Sequence, residues 1–429
     1  MNTKTTNDAL LRGNGLDANC KLILATIQGN DQPGVTAALM NILAQHEAFI
    51  LDIGQSDIHN NLNLGILFET CEENSGSIFK DLLFTCYELG VKIRFTPIAP
   101  KDYSLWVNAQ GKNRYIFTIV SRKITAEMIA ALTTVTAQQG LNIDNIRRLT
   151  GRIPLLEDQR TPMASVEFSM RGTIKDKAEL QKRLLTMSSE LGMDVSFQRE
   201  SMFRRMRRVI CFDMDSTLIQ TEVIDELAIR AGVGDQVKAI TESAMRGEID
   251  FRESFIQRVA LLKGLDVSVM EDIAVNLPIT EGCDRLMRVL KLMGYKIAIL
   301  SGGFTYFGAY LQRKFGIDYM YANQLEIEDG KLTGRHVGDI VDGNRKAELL
   351  RLIAQVEKVD LMQTVAVGDG ANDLPMLSLA GLGIAFHAKP KVKAGAKQSI
   401  STVGLDGVLY FLGYKDSLLD EEIIKQQSI

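Results

Sequence analysis

Val209-Ile-Cys-Phe-Asp-Met-Asp-Ser-Thr217 is an apolar run that stops at two carboxylates. The run VICF has the length and unbroken hydrophobicity of a strand buried on both faces. Three further runs share its character: KIAILS ending at Ser301, TVAVGD ending at Asp369, and LGIAF. Helical spacing separates them, which predicts a parallel sheet covered by helices on both sides. In such a sheet the ligand crevice lies beyond the carboxyl ends of the strands, so Asp213, Ser301 and Asp369 should converge there.

Asp213 and Asp215 lie two apart as the chain leaves its strand. One carboxylate could attack phosphorus while the other protonates the leaving oxygen and later accepts a proton from water. Two acids capping the next helix would give the same DxD pattern. Asp369 adds a third carboxylate and Asp373 a fourth, one helical turn later. Several hard oxygen ligands beside a phosphate call for Mg²⁺. The histidines His46, His59, His336 and His387 are dispersed and suggest no zinc site. Ser301-Gly302-Gly303 offers a hydroxyl and accessible backbone N–H groups, as a phosphate cradle or as a simple turn. Lys346 could supply a cation to the same phosphate, or could be an ordinary solvated helix lysine.

Upstream, the periodicity reads βαββαβ twice. KLILATIQ, the loop GNDQPG, VTAALMNILAQHE, FILDIGQSDI, NLGILFETC, SIFKDLLFTCYELG and VKIRFTPI make the first copy. The second runs from RYIFTIVS to MDVSFQ. Setting ALMNILAQHEAFILDI from Ala38 on ALTTVTAQQGLNIDNI from Ala131 matches Ala, Leu, Ala, Gln, Ile and Ile at constant offset, the mark of a duplicated module. Pro97 and Pro100 punctuate the first boundary, and Arg204, Arg205, Arg207 and Arg208 read as a solvated linker into the sheet domain.

The chain has 429 residues, 46% hydrophobic and 24% charged, with a formal charge of −4. This is the composition of a multidomain globular protein, and no nucleic-acid partner is expected. Cys20, Cys71, Cys86, Cys211 and Cys283 are scattered and form no CxxC pair, which suits a reducing compartment. No apolar stretch is long enough to span a membrane, and the first residues lack a signal-peptide core, so a cytoplasmic location with no membrane partner is expected.

DMDST, SGG, the Lys346 segment DGNRKAELL and GDGAND occur in the order found in the haloacid dehalogenase-like phosphatases, which this half of the chain resembles. FDMDSTLIQTEVIDELA, FRESFIQRVALLKGL, ILSGGF and VAVGDGANDLPML are similar to the phosphoserine phosphatases within that group. The resemblance implies hydrolysis of O-phospho-L-serine, the last step of serine biosynthesis, through an aspartyl-phosphate on Asp213 with Asp215 as general acid and base. It implies Mg²⁺ on Asp213, the Asp215 carbonyl and Asp369, supported by Asp373. Ser301, Gly302 and Lys346 would hold the phosphoryl group, and Asn372 would also contact substrate. Glu222 would bind the ammonium and Arg258 the carboxylate, with Phe251 and Met245 shutting out water. A helical cap over about 222–290 would carry these last four.

The front half resembles a tandem pair of ACT domains, modules that commonly bind amino acids. Gly29, Asp31 and Gly34 would form an effector loop, and serine would be its ligand. The second copy reads SRKITAE at the equivalent place and lacks the glycines. ACT sheets commonly pair side by side, which implies a homodimer. The expected organisation is a tail at 1–19, ACT domains at 20–99 and 113–200, and a Rossmann-like phosphatase domain at 206–429. The alternatives are a related small-molecule phosphatase or phosphotransferase, an amino-acid sensor with an inactive site, against which the intact set Asp213, Asp215, Ser301, Lys346 and Asp369 argues, and a pump-like phosphorylation domain, against which the lack of membrane spans and the acid–base residue Asp215 argue.

Overall fold

A computed structural model describes residues 20–109, 113–152 and 163–419. The expected tail at 1–19 and the polar loop around Pro154 and Pro162 lie outside them. The chain divides into two compact units, residues 1–112 and 113–429.

In the first unit the order is β1 (Cys20–Asn30), α1 (Val35–Gln45), β2 (Phe49–Ile58), β3 (Asn61–Cys71), α2 (Glu72–Glu88), β4 (Lys92–Ile98) and α3 (Pro100–Ala109). The strands form one antiparallel sheet ordered β2-β3-β1-β4. One sheet face and the apolar stripes of the helices close a core around Ile27, Leu39, Leu64, Phe68 and Leu82. Pro100, expected only as punctuation, opens α3, where its fixed φ suits a first helical turn. The register sets Cys20 opposite Cys71, their sulfurs 3.6 Å apart, a proximity that sequence spacing did not reveal.

The second unit begins with β5 (Arg114–Ser121), α4 (Ala126–Gln138), β6 (Leu141–Arg148), β7 (Ala164–Gly172), α5 (Lys177–Leu191) and β8 (Asp194–Arg199). Their sheet order, β6-β7-β5-β8, repeats that of the first. There follow β9 (Val209–Phe212), α6 (Val223–Ala231), α7 (Gly234–Arg246), α8 (Phe251–Ala260), α9 (Ser268–Val275), α10 (Cys283–Leu292), β10 (Lys296–Phe304), α11 (Thr305–Phe315), β11 (Tyr319–Glu328) and β12 (Lys331–Val337). The chain continues through α12 (Gly343–Val356), β13 (Thr364–Gly368), α13 (Leu374–Leu379), β14 (Leu382–Phe386), α14 (Pro390–Gly395), β15 (Gln398–Ile400), α15 (Val408–Phe411) and α16 (Asp416–Leu419).

These strands make a seven-stranded sheet ordered β12-β11-β10-β9-β13-β14-β15, parallel except for β12. β9 lies at its centre between β10 and β13, all four of its residues buried. Of the five helices in the stretch expected as a cap, α6–α9 form the insertion. The fifth, α10, buries Leu286, Met287 and Leu290 in the sheet domain's core, because its apolar stripe faces the strands. The β11–β12 hairpin turns through Asp329 and Gly330, both at positive φ, the chemistry of a tight hairpin turn.

The basic run is only half solvated: Arg205 and Arg208 are exposed, but Arg204 and Arg207 are not. Arg204 is buried and pairs with Glu167 at 2.7 Å, and Arg207 is buried and donates to Gln198 Oε1. Both partners lie on strands of the preceding sheet, so tertiary contacts override the reading from charge alone. Among the described residues no helix is long and apolar enough to cross a membrane.

Candidate active site

Asp213 leaves β9 with its N–H still on the ladder, donating to Val367 O at 2.9 Å. Its Oδ1 meets two donors, Met214 N at 2.7 Å and Lys346 Nζ at 2.9 Å. The Lys346 ammonium also holds Asp373 Oδ1 at 2.7 Å, and its side chain is wholly buried. Although burial opposes its charge, Asp213 and Asp373 keep that ammonium above the ordinary lysine range. Asp373 Oδ2 accepts from Gly370 N at 2.9 Å, which fixes the turn after β13.

Asp369, at the tip of β13, accepts from Thr217 Oγ1 at 3.3 Å. Carboxylate oxygens of Asp213, Asp369 and Asp373 lie within 4.8 Å of one another. Three buried or half-buried acids around one ammonium leave excess negative charge, and their titration shows it. Burial first, then Asp373, raises Asp213 well above the usual carboxylate range. Burial, Asp373 and Glu222 push Asp369 up to about 7. This all-oxygen donor set fits a hard divalent cation.

Asp215 sits on the other side of Asp213, where burial first, then Glu222 and Asp213, raise it well above the carboxylate range. A carboxyl whose hold on its proton is strengthened in this way is suited to donate it as a general acid. Its Oδ1 accepts from Val223 N at 3.3 Å, at the start of α6. Ser301 is fully buried at the end of β10's apolar run and accepts from Gly303 N at 2.9 Å. Gly303 must lack a side chain: a Cβ there would lie 2.5 Å from Asp215 Oδ2 and 2.7 Å from Met214 Cε. The glycine lets the β10 turn press against the Asp213–Asp215 turn.

The cap closes over this cluster. Phe251, at the start of α8, comes within 3.0 Å of where a Gly302 Cβ would stand. Arg252 Nε pairs with Asp342 Oδ2 at 2.7 Å, joining α8 to the N-terminus of α12. Glu222 precedes α6 and accepts from Ser216 Oγ at 2.9 Å. Arg258 is half-buried on α8. Burial lowers its pKa, and Glu222, Asp225 and Asp215 oppose that, which brings its guanidinium into the field of the cluster.

Relatives carry the same architecture. Residues 207–381 match the family of haloacid dehalogenase-like hydrolases, and 21–96 and 115–198 each match an ACT domain family. A phosphoserine phosphatase of Streptomyces coelicolor is 40% identical over 91% of this chain and 92% of its own. The chain belongs to the phosphoserine phosphatase family. The phosphoserine phosphatase SerB2 of Mycobacterium tuberculosis is also 40% identical, over 91% of this chain and 93% of its own. Among solved structures, a probable phosphoserine phosphatase from Vibrio cholerae superposes with TM-score 0.54 at 34% identity, over 73% of this chain and 90% of its own.

Within this phosphoserine phosphatase fold, Asp213, Asp215, Ser301, Gly302, Lys346, Asp369 and Asp373 gather at the strand ends, with Asn372 in the turn between Asp369 and Asp373. Glu222, Phe251 and Arg258 come to it from the insertion, and the Met245 side chain lies outside the described residues. Gly29, Asp31 and Gly34 belong to the first unit, at the β1–α1 turn. Asp31 N donates there to Asn60 O, and Gly34 caps α1 at φ 99°. Sequence reading missed Asn323. Buried in β11, it donates to Gly302 O and accepts from Val341 N, both at 2.8 Å, so it holds the Ser301–Gly303 turn. Thr217 and Asp225 were missed as well. Thr217 stands in the DMDST motif, and Asp225 lies one helical turn after Glu222, the two signals that could have found them.

Proposed function

We propose that Asp213 is the nucleophile and Asp215 the acid and base in hydrolysis of O-phospho-L-serine. One observation carries this reading. The central strand delivers Asp213 onto a buried ammonium, while the carboxyl two residues later, raised by burial above the usual carboxylate range, packs against the SGG turn. An Asp213 oxygen attacks phosphorus as the bond from phosphorus to the seryl oxygen breaks, and Asp215 gives that oxygen its proton. Water then attacks the aspartyl-phosphate and yields its proton to Asp215, releasing phosphate and restoring the Asp213 carboxylate.

Asp213, Asp369 and the Asp215 carbonyl would hold Mg²⁺, with Asp373 supporting. When bound, the ion supplies positive charge that offsets repulsion between the carboxylates and the phosphate dianion. Lys346, Ser301 and the Gly302 turn orient the phosphoryl group, with Asn372 beside it. Glu222 and Arg258 read the serine ammonium and carboxylate, and Phe251 excludes water. Serine is the proposed effector at Gly29, Asp31 and Gly34, and a homodimer is the proposed assembly, checked by binding of labelled serine and by sedimentation.

The test is phosphate release from L-phosphoserine with and without Mg²⁺, against phosphothreonine and sugar phosphates. Asp213→Asn should lose activity by at least about a thousandfold, and full activity in that variant would sink the covalent mechanism.

A further inference from the structure

The offset that aligns the two βαββαβ copies sets Arg122 of the second where the first has Gly29. In the first copy a Cβ at Gly29 would stand 2.8 Å from Val91 Cγ1. In the second, the same place carries a long cation that leaves its own module. Arg122 Nη1 and Nη2 donate to Glu281 Oε1 and Oε2 at 2.7 and 2.6 Å, a bidentate fork, and Nε donates to Thr402 O at 3.2 Å.

Glu281 stands where the cap chain returns to the sheet domain. Ile279 bridges Ile219, Gln220 N donates to Pro278 O at 2.8 Å, and Thr280 N donates to Leu218 O at 3.0 Å. These two short segments are the cap's only covalent connections to the rest of the fold. Leu218 N donates to Met214 O, between Asp213 and Asp215, and the neighbouring Thr217 hydroxyl reaches Asp369. The main chain of Glu281 is held too, its O accepting from Leu405 N at 2.7 Å. One side chain of the second ACT module thus grips the base of the hinge whose other strand leads directly into the acid–base turn. The cap is seated in this arrangement, with Phe251 over Gly302 and Arg252 on Asp342.

We propose that Arg122, acting through Glu281, is a positioning residue that fixes the hinge of the cap and favours its seated state. The loop that lost the glycines of the first copy has become a mechanical contact between the second ACT module and the hinge. The kinetic arm rests on the phosphoserine reading above, whereas the exchange arm does not.

The test uses the full chain with Arg122→Gln, Glu281→Gln, the exchanged pair Arg122→Glu with Glu281→Arg, and Gln398→Ala. Gln398 pairs with the backbone of Phe197 across the same two modules without touching the hinge, so its loss reports general loosening. Hydrogen exchange at the amides of Gln220 and Thr280 is read without substrate, alongside KM and kcat for phosphoserine with Mg²⁺. Each single charge variant is expected to speed exchange at both amides and raise KM about fivefold with kcat within about twofold, because a smaller seated fraction lowers apparent affinity. The exchanged pair restores at least about half of either effect. Gln398→Ala lowers Tm and leaves both readouts in place. Unchanged exchange in both single variants would overturn the proposal, as would an equal KM rise in Gln398→Ala. A wild-type chain inactive on phosphoserine would instead strike the substrate reading, with exchange still deciding the hinge.

Discussion

Replacing Asp369 with Asn should stabilise the chelated protein at neutral and alkaline pH while abolishing its response to magnesium. Asp369 is pushed up to about 7, first by burial and then by Asp373 and Glu222. An aspartate in the unfolded chain titrates near 3.9. Between those values the folded state keeps a proton that the unfolded chain has lost. This group's favourable contribution is therefore complete below about pH 4 and lost as pH rises through about 7. A displacement of about three units corresponds to about 4 kcal/mol at 1.36 kcal/mol per unit. The stability of Asp369→Asn minus that of wild type should accordingly climb by about 3–4 kcal/mol from about pH 4 to about pH 8. Asn keeps an oxygen for the Thr217 hydroxyl, so the packing at that contact survives. Amide exchange in β9 and β13 under chelation reads the relevant opening free energy. Saturating Mg²⁺ should raise it in wild type and leave the variant unmoved. A difference that stays flat with pH, or falls, would refute the electrostatic account of this cluster.

Lys346→Met keeps the stem and removes the charge between Asp213 and Asp373. Removing one member of a buried pair costs about 3–5 kcal/mol, and adding Asp373→Asn should restore part of it, read by exchange in β13; kcat/KM should fall at least about a hundredfold. Gly303→Ala drives a methyl group into Asp215 Oδ2, so kcat should drop about a hundredfold with KM little changed; full activity would show that the acid tolerates displacement. Arg258→Ala should raise KM for phosphoserine at least about tenfold while hydrolysis of p-nitrophenyl phosphate, which has no carboxylate to bind, stays near wild type. Equal losses on both substrates would place Arg258 outside specificity.

The strand-end residues were readable from sequence because their signal is local: an apolar run and an abrupt polar end coincide at each of them. The ACT duplication was readable for a similar reason, since both helices of each copy keep their 3.6-residue stripe. Lys346 was ambiguous because its burial depends on α12 packing against a turn 27 residues away, where Asp373 waits. Arg204 and Arg207 misled because charge density carries no information about the Glu167 and Gln198 that receive them. Asn323 was invisible within the run YMYANQLEIE, whose strand character gives no reason to single out one amide. Contacts such as Arg122–Glu281 join positions 159 apart and belong to tertiary structure alone.

The cluster's charge balance sets the order in which it must fill. Asp213, Asp369 and Asp373 face the single Lys346 ammonium, so the cluster holds more acids than cations in a site largely closed to water. A phosphate dianion entering then meets net repulsion that low dielectric strengthens. A divalent cation held by these carboxylates would offset that excess, with Lys346 still fixed by its contacts to Asp213 and Asp373. The same field that makes Asp369 costly to ionise would therefore favour a bound cation, whose charge would offset that of the incoming phosphate. Lys346 can orient the phosphoryl group but would not balance a dianion alone, because its one ammonium is already shared by two carboxylates.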